Sequence, residues 1–225
     1  MKKRKLDLEN KRYLQKTLEK NIKLFDLYDW DCISCYKKLS ESFIEKYSDK
    51  VNWYNVSLCQ KLSEEFIENH SGDVHWPYIS KYQILSEEFI EKYQNKVYWP
   101  YISEYQKLSE NFIEKYSDKL RWDHISRCQK LSENFIEKYS DKVDWYFISE
   151  YQKLSLSFII KNIDKICFQF TLENSKISLE TKKQIKKIMK KLNLIDKNIK
   201  NQIKQFNPKD LDKNLNLLIK SIKGK

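Results

Sequence analysis

The sequence predicts an all-α fold: an α-solenoid of short two-helix, 23-residue repeats with helical caps at both ends. Three observations predict it. The six tryptophans, Trp30, Trp53, Trp76, Trp99, Trp122 and Trp145, are spaced 23 residues apart without an insertion, and each opens a copy of one motif. Self-similarity at a period of this order marks a stacked array rather than a single globule. Within a copy numbered from its Trp, the apolar side chains recur at positions 1, 4, 10, 14, 15, 18 and 22, a helical spacing and not the alternation of a strand. Finally, 2 Gly and 3 Pro in 225 residues are far too few for the turns of a β-protein. The L-x-x-L-x-L signature of leucine-rich strands is also missing.

Residues 1–29 form the first predicted element, an N-terminal cap. They hold a degenerate copy: Thr17 and Tyr13 precede Ser40 and Tyr36 by one period, but the Phe-Ile pair is absent. A terminal unit with a polar outer face is what such an array needs to stay in solution. The six repeats follow, over 30–167. In each, a first helix is predicted from about position 2 to position 8. Pro77 and Pro100 at position 2 suit a first turn, where a missing N–H costs nothing. Asn52 and Asp144, just before a Trp, are expected N-caps. A second helix is predicted from position 12 to about position 18. Ser stands at position 11 in every copy (Ser40, Ser63, Ser86, Ser109, Ser132, Ser155) and Glu follows it in five, a cap and a first-turn acid that both favour a helix start. Helices of about two turns do not persist alone, so each copy must lean on its neighbours.

Residues 168–225 are predicted as a degenerate seventh repeat and a Lys-rich C-terminal helical cap. Phe168 takes the place of a seventh Trp, and Ile177-Ser178 keep the Leu-Ser step in register. Beyond them run three apolar stripes at helical spacing: Ile185, Ile188, Met189 and Leu192; Ile195, Ile199, Ile203 and Phe206; and Leu211, Leu215, Leu218 and Ile222.

Two polar positions are as regular as the apolar ones. Position 5 is always Ser, and position 8 is Gln in five copies (Gln60, Gln83, Gln106, Gln129, Gln152). A row of amides could read a ligand. The simpler expectation is that Ser permits close approach of helices and that Gln satisfies buried backbone groups between copies.

Composition excludes several functions. No run of 18 apolar residues spans a membrane, and no apolar h-region follows MKKRK, so a secreted protein is not expected. Five cysteines, an odd number, fit free thiols in an intracellular, reducing compartment. His70, His75 and His124 are the only histidines, and none is paired with a recurrent nucleophile. Glu at positions 12 and 16 recurs along the array and is expected to be a solvated face, not an acid–base pair. Cys32-x-x-Cys35 is a lone CxxC without a second pair at zinc spacing. No catalytic residue, cofactor, metal or small-molecule substrate is therefore expected, and the chain reads as a non-enzyme.

What function the sequence does suggest lies in the contrast between copies. Position 3 reads Cys32, Asn55, Tyr78, Tyr101, His124, Phe147; position 6 reads Cys35, Leu58, Lys81, Glu104, Arg127, Glu150; position 23 reads Asn52, His75, Tyr98, Arg121, Asp144. These variable positions flank the start of the first helix or lie one turn into it. Aromatic and Arg side chains are typical anchors of protein interfaces. The expected site is a protein-binding edge centred on Tyr78, Tyr98, Tyr101, Arg121, His124 and Arg127. An alternative from another class is binding of nucleic acid or an anionic surface through Lys182, Lys183, Lys186, Lys187, Lys190 and Lys191. The net charge of +11 is concentrated there: residues 171–225 carry 15 Lys against five acids, while the repeats are slightly acidic. A third possibility is a structural component of a particle.

The pattern W-x-x-I-S-x-x-Q-K-L-S-E-x-F-I-E-K-Y resembles the tandem repeats of about 22 residues in multigene families of giant DNA viruses that infect amoebae. The resemblance covers about residues 30–170, and coding rich in Lys, Asn and Ile agrees with it. It implies a helical solenoid made during infection, placed in the host cytoplasm, whose work is binding another protein, viral or host. It carries no catalytic residues and is silent on both caps.

Overall fold

The computed structural model describes residues 30–35 and 38–190. Among them the structure is helical throughout, without a strand, and the 23-residue repeat is a repeat of structure. The N-terminal cap, Leu192, Lys191 and the last two apolar stripes lie outside the described residues. No helix among the described residues is long and apolar enough to cross a membrane.

Each repeat is a pair of short helices. The first helices are Trp30–Cys35, Trp53–Cys59, Trp76–Tyr82, Trp99–Tyr105, Trp122–Cys128 and Trp145–Tyr151; the second are Glu41–Lys46, Glu64–Asn69, Glu87–Lys92, Glu110–Lys115, Glu133–Lys138 and Leu156–Lys161. In the full copies the first helix occupies positions 1 to 7, one residue earlier than the sequence suggests. It ends because the position-8 Gln turns extended, at φ −89° and ψ 152° in Gln106, while its N–H still closes the helix on the Ile102 carbonyl. The second helix starts where expected. In all six copies the position-11 Ser adopts extended backbone and its hydroxyl accepts from the N–H of the position-14 Phe. Asn52 caps in the same way, and Asp144 accepts from the Tyr146 and Phe147 N–H groups.

The chain divides into two compact units between Ile148 and Ser149. In the first unit, the first helices of consecutive repeats stack on one another. Their buried Ile or Val at position 4, with Phe and Ile at 14 and 15 and Val or Leu at 22, makes a continuous core; Ile79, Ile90, Ile102, Ile113, Ile125 and Ile136 are all sealed from solvent. From Trp53 to Trp145, each Trp joins its copy to the one before it. The Trp99 ring packs 6.4 Å from Phe112 and 5.1 Å from Tyr116 of its own repeat, while its indole N–H donates to the Gln94 carbonyl of the preceding repeat at 3.0 Å.

The regular polar positions hold the stack together. Gln106 Oε1 accepts from the Leu85 N–H at 3.1 Å, and its Nε2 donates to the Ser80 and Gln83 carbonyls, both at 2.8 Å. Gln83 and Gln129 repeat the pattern one copy away on either side. The Ser103 hydroxyl donates back to the Trp99 carbonyl at 2.8 Å and accepts at 3.0 Å from the N–H of Arg121, which ends the same copy and is the N-cap of the next first helix. So these rows satisfy buried backbone. Ser at position 5 is more than a small residue permitting close approach; it ties its own helix to the N-cap of the next first helix.

One expectation is corrected. The Glu rows at positions 12 and 16 are not merely solvated. Glu87 accepts from the N–H of Ser109 and, at 2.9 Å, from its hydroxyl, tying one second-helix start to the next. Glu114 pairs with Lys138 at 2.5 Å, and Glu68 and Glu91 pair likewise with Lys92 and Lys115. The physical reason is the stacking register. It lays a residue beside the ones 22 to 24 further on, so a carboxylate finds a partner in the next copy rather than in its own helix.

In the second unit the pattern decays in an orderly way. The helix Phe168–Glu173 has 6 residues, one fewer than its counterparts. Its C-cap is accordingly reached one residue sooner, and Asn174 does the work of the missing Gln, donating to the Ser149 and Gln152 carbonyls at 3.0 and 2.7 Å. The Cys167 N–H is held by the Ser149 hydroxyl at 2.9 Å, as in the regular copies. Ile177 is buried, and Ser178 caps the next helix by accepting from the Thr181 N–H at 3.1 Å. That helix runs from 179 to 190, where the description ends, with Ile185 sealed inside and Ile188 and Met189 half-buried.

Candidate protein-binding surface

Positions 4 and 5 of each first helix, with the Gln that follows it, point into the stack. Positions 2, 3, 6 and 7 are left on its outer edge, with the position-23 side chain at its start. Residues one turn apart share a face of a helix, and stacking adds the contact between residue i and residue i+24. Together they build a strip of rings over repeats 2 to 4. The Tyr54 and Tyr78 hydroxyls are hydrogen-bonded, with ring centroids 4.7 Å apart edge-on. His75 fills the angle between them at 4.9 and 4.6 Å, and its Nδ1 is buried without a hydrogen-bond partner. Tyr78 continues to Tyr82 at 5.8 Å, Tyr98 meets Tyr101 at 4.9 Å, and Tyr101 meets Tyr105 at 5.7 Å.

Lys81 sits in the middle. Its ammonium lies 5.0, 5.4 and 5.1 Å from the ring centres of Tyr82, Tyr101 and Tyr105, within the range of a cation–π contact. The hydrogen bond to Tyr82 holds the ammonium pKa above its ordinary value. The hydrogen bond to Tyr54 likewise raises the Tyr78 phenol. Tyr54, Tyr82, Tyr98 and Tyr105 are each nearly half exposed, so the strip offers apolar ring surface and phenol hydroxyls together.

The expected anchors around the start of the fifth repeat are held differently. Arg121 forks onto Asp123, Nε to Oδ1 at 3.1 Å and Nη2 to Oδ2 at 2.7 Å. The guanidinium holds the Asp123 carboxyl well down, at about 2. Arg127 Nη2 donates to Glu104 Oε1 at 2.6 Å and the guanidinium lies 5.8 Å from the Phe147 ring. His124 Nδ1 is 3.1 Å from the Pro100 carbonyl and 3.7 Å from Glu104. The structure therefore gathers Tyr78, Tyr98 and Tyr101 into one aromatic strip, and His124 and Arg127 around Glu104. Arg121 stands at the start of its helix with a carboxylate partner of its own.

Tyr54, Lys81, Tyr82 and Tyr105 are the members that sequence reasoning missed. A signal was present: position 7 reads Cys59, Tyr82, Tyr105, Cys128, Tyr151, varying as position 3 does, one turn away from it. The alternative lysines, Lys182, Lys183, Lys186, Lys187 and Lys190, lie on the helix from 179 to 190 opposite buried Ile185, and all but Lys182 are exposed. Cys35 faces Cys59 of the next repeat and not only its CxxC companion. Among the described residues no cluster of three or more His, Cys, Asp or Glu could hold a metal ion. Comparison of the chain with protein-family models, with curated proteins and with solved structures gives no match.

Proposed function

We propose that this chain is a non-catalytic repeat scaffold that binds another protein along the tyrosine-rich outer edge of its first helices. One observation carries the reading. On a single helix, the inward positions are the same from copy to copy while the outward ones change and converge, over three adjacent repeats, on Tyr54, Tyr78, Tyr82, Tyr98, Tyr101 and Tyr105 around Lys81. Tyrosine supplies large contact area at low conformational-entropy cost, with a hydroxyl for specificity. The resemblance to giant-virus repeats favours a viral product whose partner is viral or host.

The test is chemical cross-linking and affinity capture from lysate, run on three chains in parallel: wild type, a variant with Tyr78, Tyr82, Tyr98, Tyr101 and Tyr105 changed to Ala, and a control with exposed residues of the second helices and the turn after them, Glu88, Asn95 and Asn111, changed to Ala. A partner captured by wild type and control but lost from the tyrosine variant supports the reading. Equal capture by all three defeats it. Four exposed lysines on one helix face favour a second reading, non-specific binding of polyanions with steep salt dependence. Its mark would be retention on DNA or RNA at low salt that is lost when Lys183, Lys186, Lys187 and Lys190 become Gln and is indifferent to the tyrosines.

A further inference from the structure

The first junction of the array holds two cysteines in a position that no other junction offers. Cys35, at position 6 of the first repeat, and Cys59, at position 7 of the second, place their sulfurs 2.8 Å apart. Both side chains are exposed and both thiols are free. A disulfide needs about 2.05 Å between sulfurs, so closure requires a shift well under 1 Å.

The approach is dictated by the stack and not by one side-chain rotamer. The pair is an i, i+24 contact, the same register that joins Tyr54 to Tyr78 and Glu91 to Lys115. At the third junction the same two positions are Lys81 and Tyr105, also in contact, at 5.1 Å. Both junctions bring these two positions together, and in the sequence only the first junction has a thiol at each of them. Cys32, in the same CxxC, stands about one helical turn from Cys35 on the helix Trp30–Cys35.

We infer that Cys35 and Cys59 are a thiol pair that a two-electron oxidant, such as a small-molecule disulfide or a hydroperoxide, converts to a cross-link between the first and second repeats. With oxidised glutathione the steps balance as follows. The Cys59 thiolate attacks one glutathione sulfur, forming a mixed disulfide and releasing one glutathione thiolate. The Cys35 thiolate then attacks Cys59 Sγ, forming the Cys35–Cys59 bond and releasing the second. Two protons leave the protein, and the two electrons that it loses reduce one glutathione disulfide to two thiols. The order follows from the electrostatics of the pair. Two thiolates side by side repel, and the hydrogen bond with Cys59, aided by burial, pushes the Cys35 thiol up to about 11. Cys35 is thus the resolving sulfur. This inference rests on the stacking register alone and stands whether or not the tyrosine edge binds a protein.

The experiment is oxidation of the reduced full-length chain by oxidised glutathione, followed by alkylation and non-reducing peptide mapping by mass spectrometry. The expected product has lost two hydrogens, carries no glutathione, and leaves three of its five cysteines open to alkylation. The peptide 51–61 is joined to the peptide 24–37. Cys32→Ser leaves the bridge unchanged and two cysteines open to alkylation. Cys35→Ser removes the bridge and leaves Cys59 as a stable glutathione adduct, because nothing resolves it. A Cys32–Cys35 bridge, a glutathione adduct as the end product in the wild type, a dimer joined between chains, or five thiols still free would each overturn the assignment.

Discussion

The inner and outer sides of the first helix obey different rules. On the inner side, positions 4, 5 and 8 are occupied almost identically in every copy, and the bonds they make recur with little change in length. On the outer edge the same helix carries Asn55, Tyr78, Tyr101 and His124 at one position and Leu58, Lys81, Glu104 and Arg127 at another. The difference teaches where constraint comes from. A buried N–H or carbonyl has one good solution at each junction, and the array must repeat it. An edge side chain only has to avoid clashing with a neighbour 24 residues away. Variation is permitted there, so a binding specificity can be written there without disturbing the stack.

If that division is right, the inner side should be far more sensitive to truncation. Gln106→Ala orphans the buried Leu85 N–H and removes donors from two carbonyls, so it should destabilise the array by about 3 kcal/mol. Denaturant titration gives the loss, and hydrogen exchange should place the new opening at the junction of repeats 3 and 4. A loss under about 1 kcal/mol would mean that water replaces the amide easily and that the comparison fails. Ser109→Ala is the next step down. It removes the cap on the Phe112 N–H and one of the two bonds from Glu87, but the Ser109 N–H keeps its carboxylate. A loss of about 1 kcal/mol is expected, read in the same titration. A loss as large as that from Gln106→Ala would show that the second-helix starts, and not the amide rows, hold the repeats in register.

Much of this division was legible in the sequence, because it is local or periodic. Ser at position 11 followed by Glu announces a helix start, and a Gln that recurs among apolar residues announces a backbone partner. The one-residue error at the first helix has a plain cause: Gln106 closes the helix through its N–H while its own backbone is already extended, a distinction that side-chain spacing does not carry. The edge was only half legible. Its variable positions could be found by comparing copies, but the contacts among them depend on the offset between stacked helices. That offset lays a residue beside those 22 to 24 further on, and nothing within one repeat reveals which of them it meets. For this reason side-chain spacing does not reveal the contacts of Tyr54 and Tyr105, the bond of Glu87 to Ser109 or the approach of Cys35 to Cys59. The substitution of Asn174 for Gln, one residue early in a helix one residue short, could be understood only once the role of the amide was known.

The smallest effect bears on whether the edge is open to a partner or knit to itself. Arg121 and Asp123 lie at the surface, with the Arg121 side chain 57% exposed, so their bond should add little to stability. Its signature is the titration of Asp123. The Arg121 guanidinium is the main cause of its low pKa, near 2, with help from the His124 N–H. Because the folded carboxyl titrates below the unfolded one, its contribution to stability is complete above about pH 4. It is lost as the pH falls toward 2. The small stability gap between wild type and Asp123→Asn should therefore close over that interval. NMR detection of the carboxyl carbon should give the low midpoint in dilute buffer and a higher one in concentrated salt, where an exposed pair is screened. A midpoint near the ordinary value of about 4 in dilute buffer would mean that the fork is not formed in solution. Arg121 would then be free to meet a partner's carboxylate, and the binding edge would extend from the tyrosines of repeats 2 to 4 into the fifth repeat.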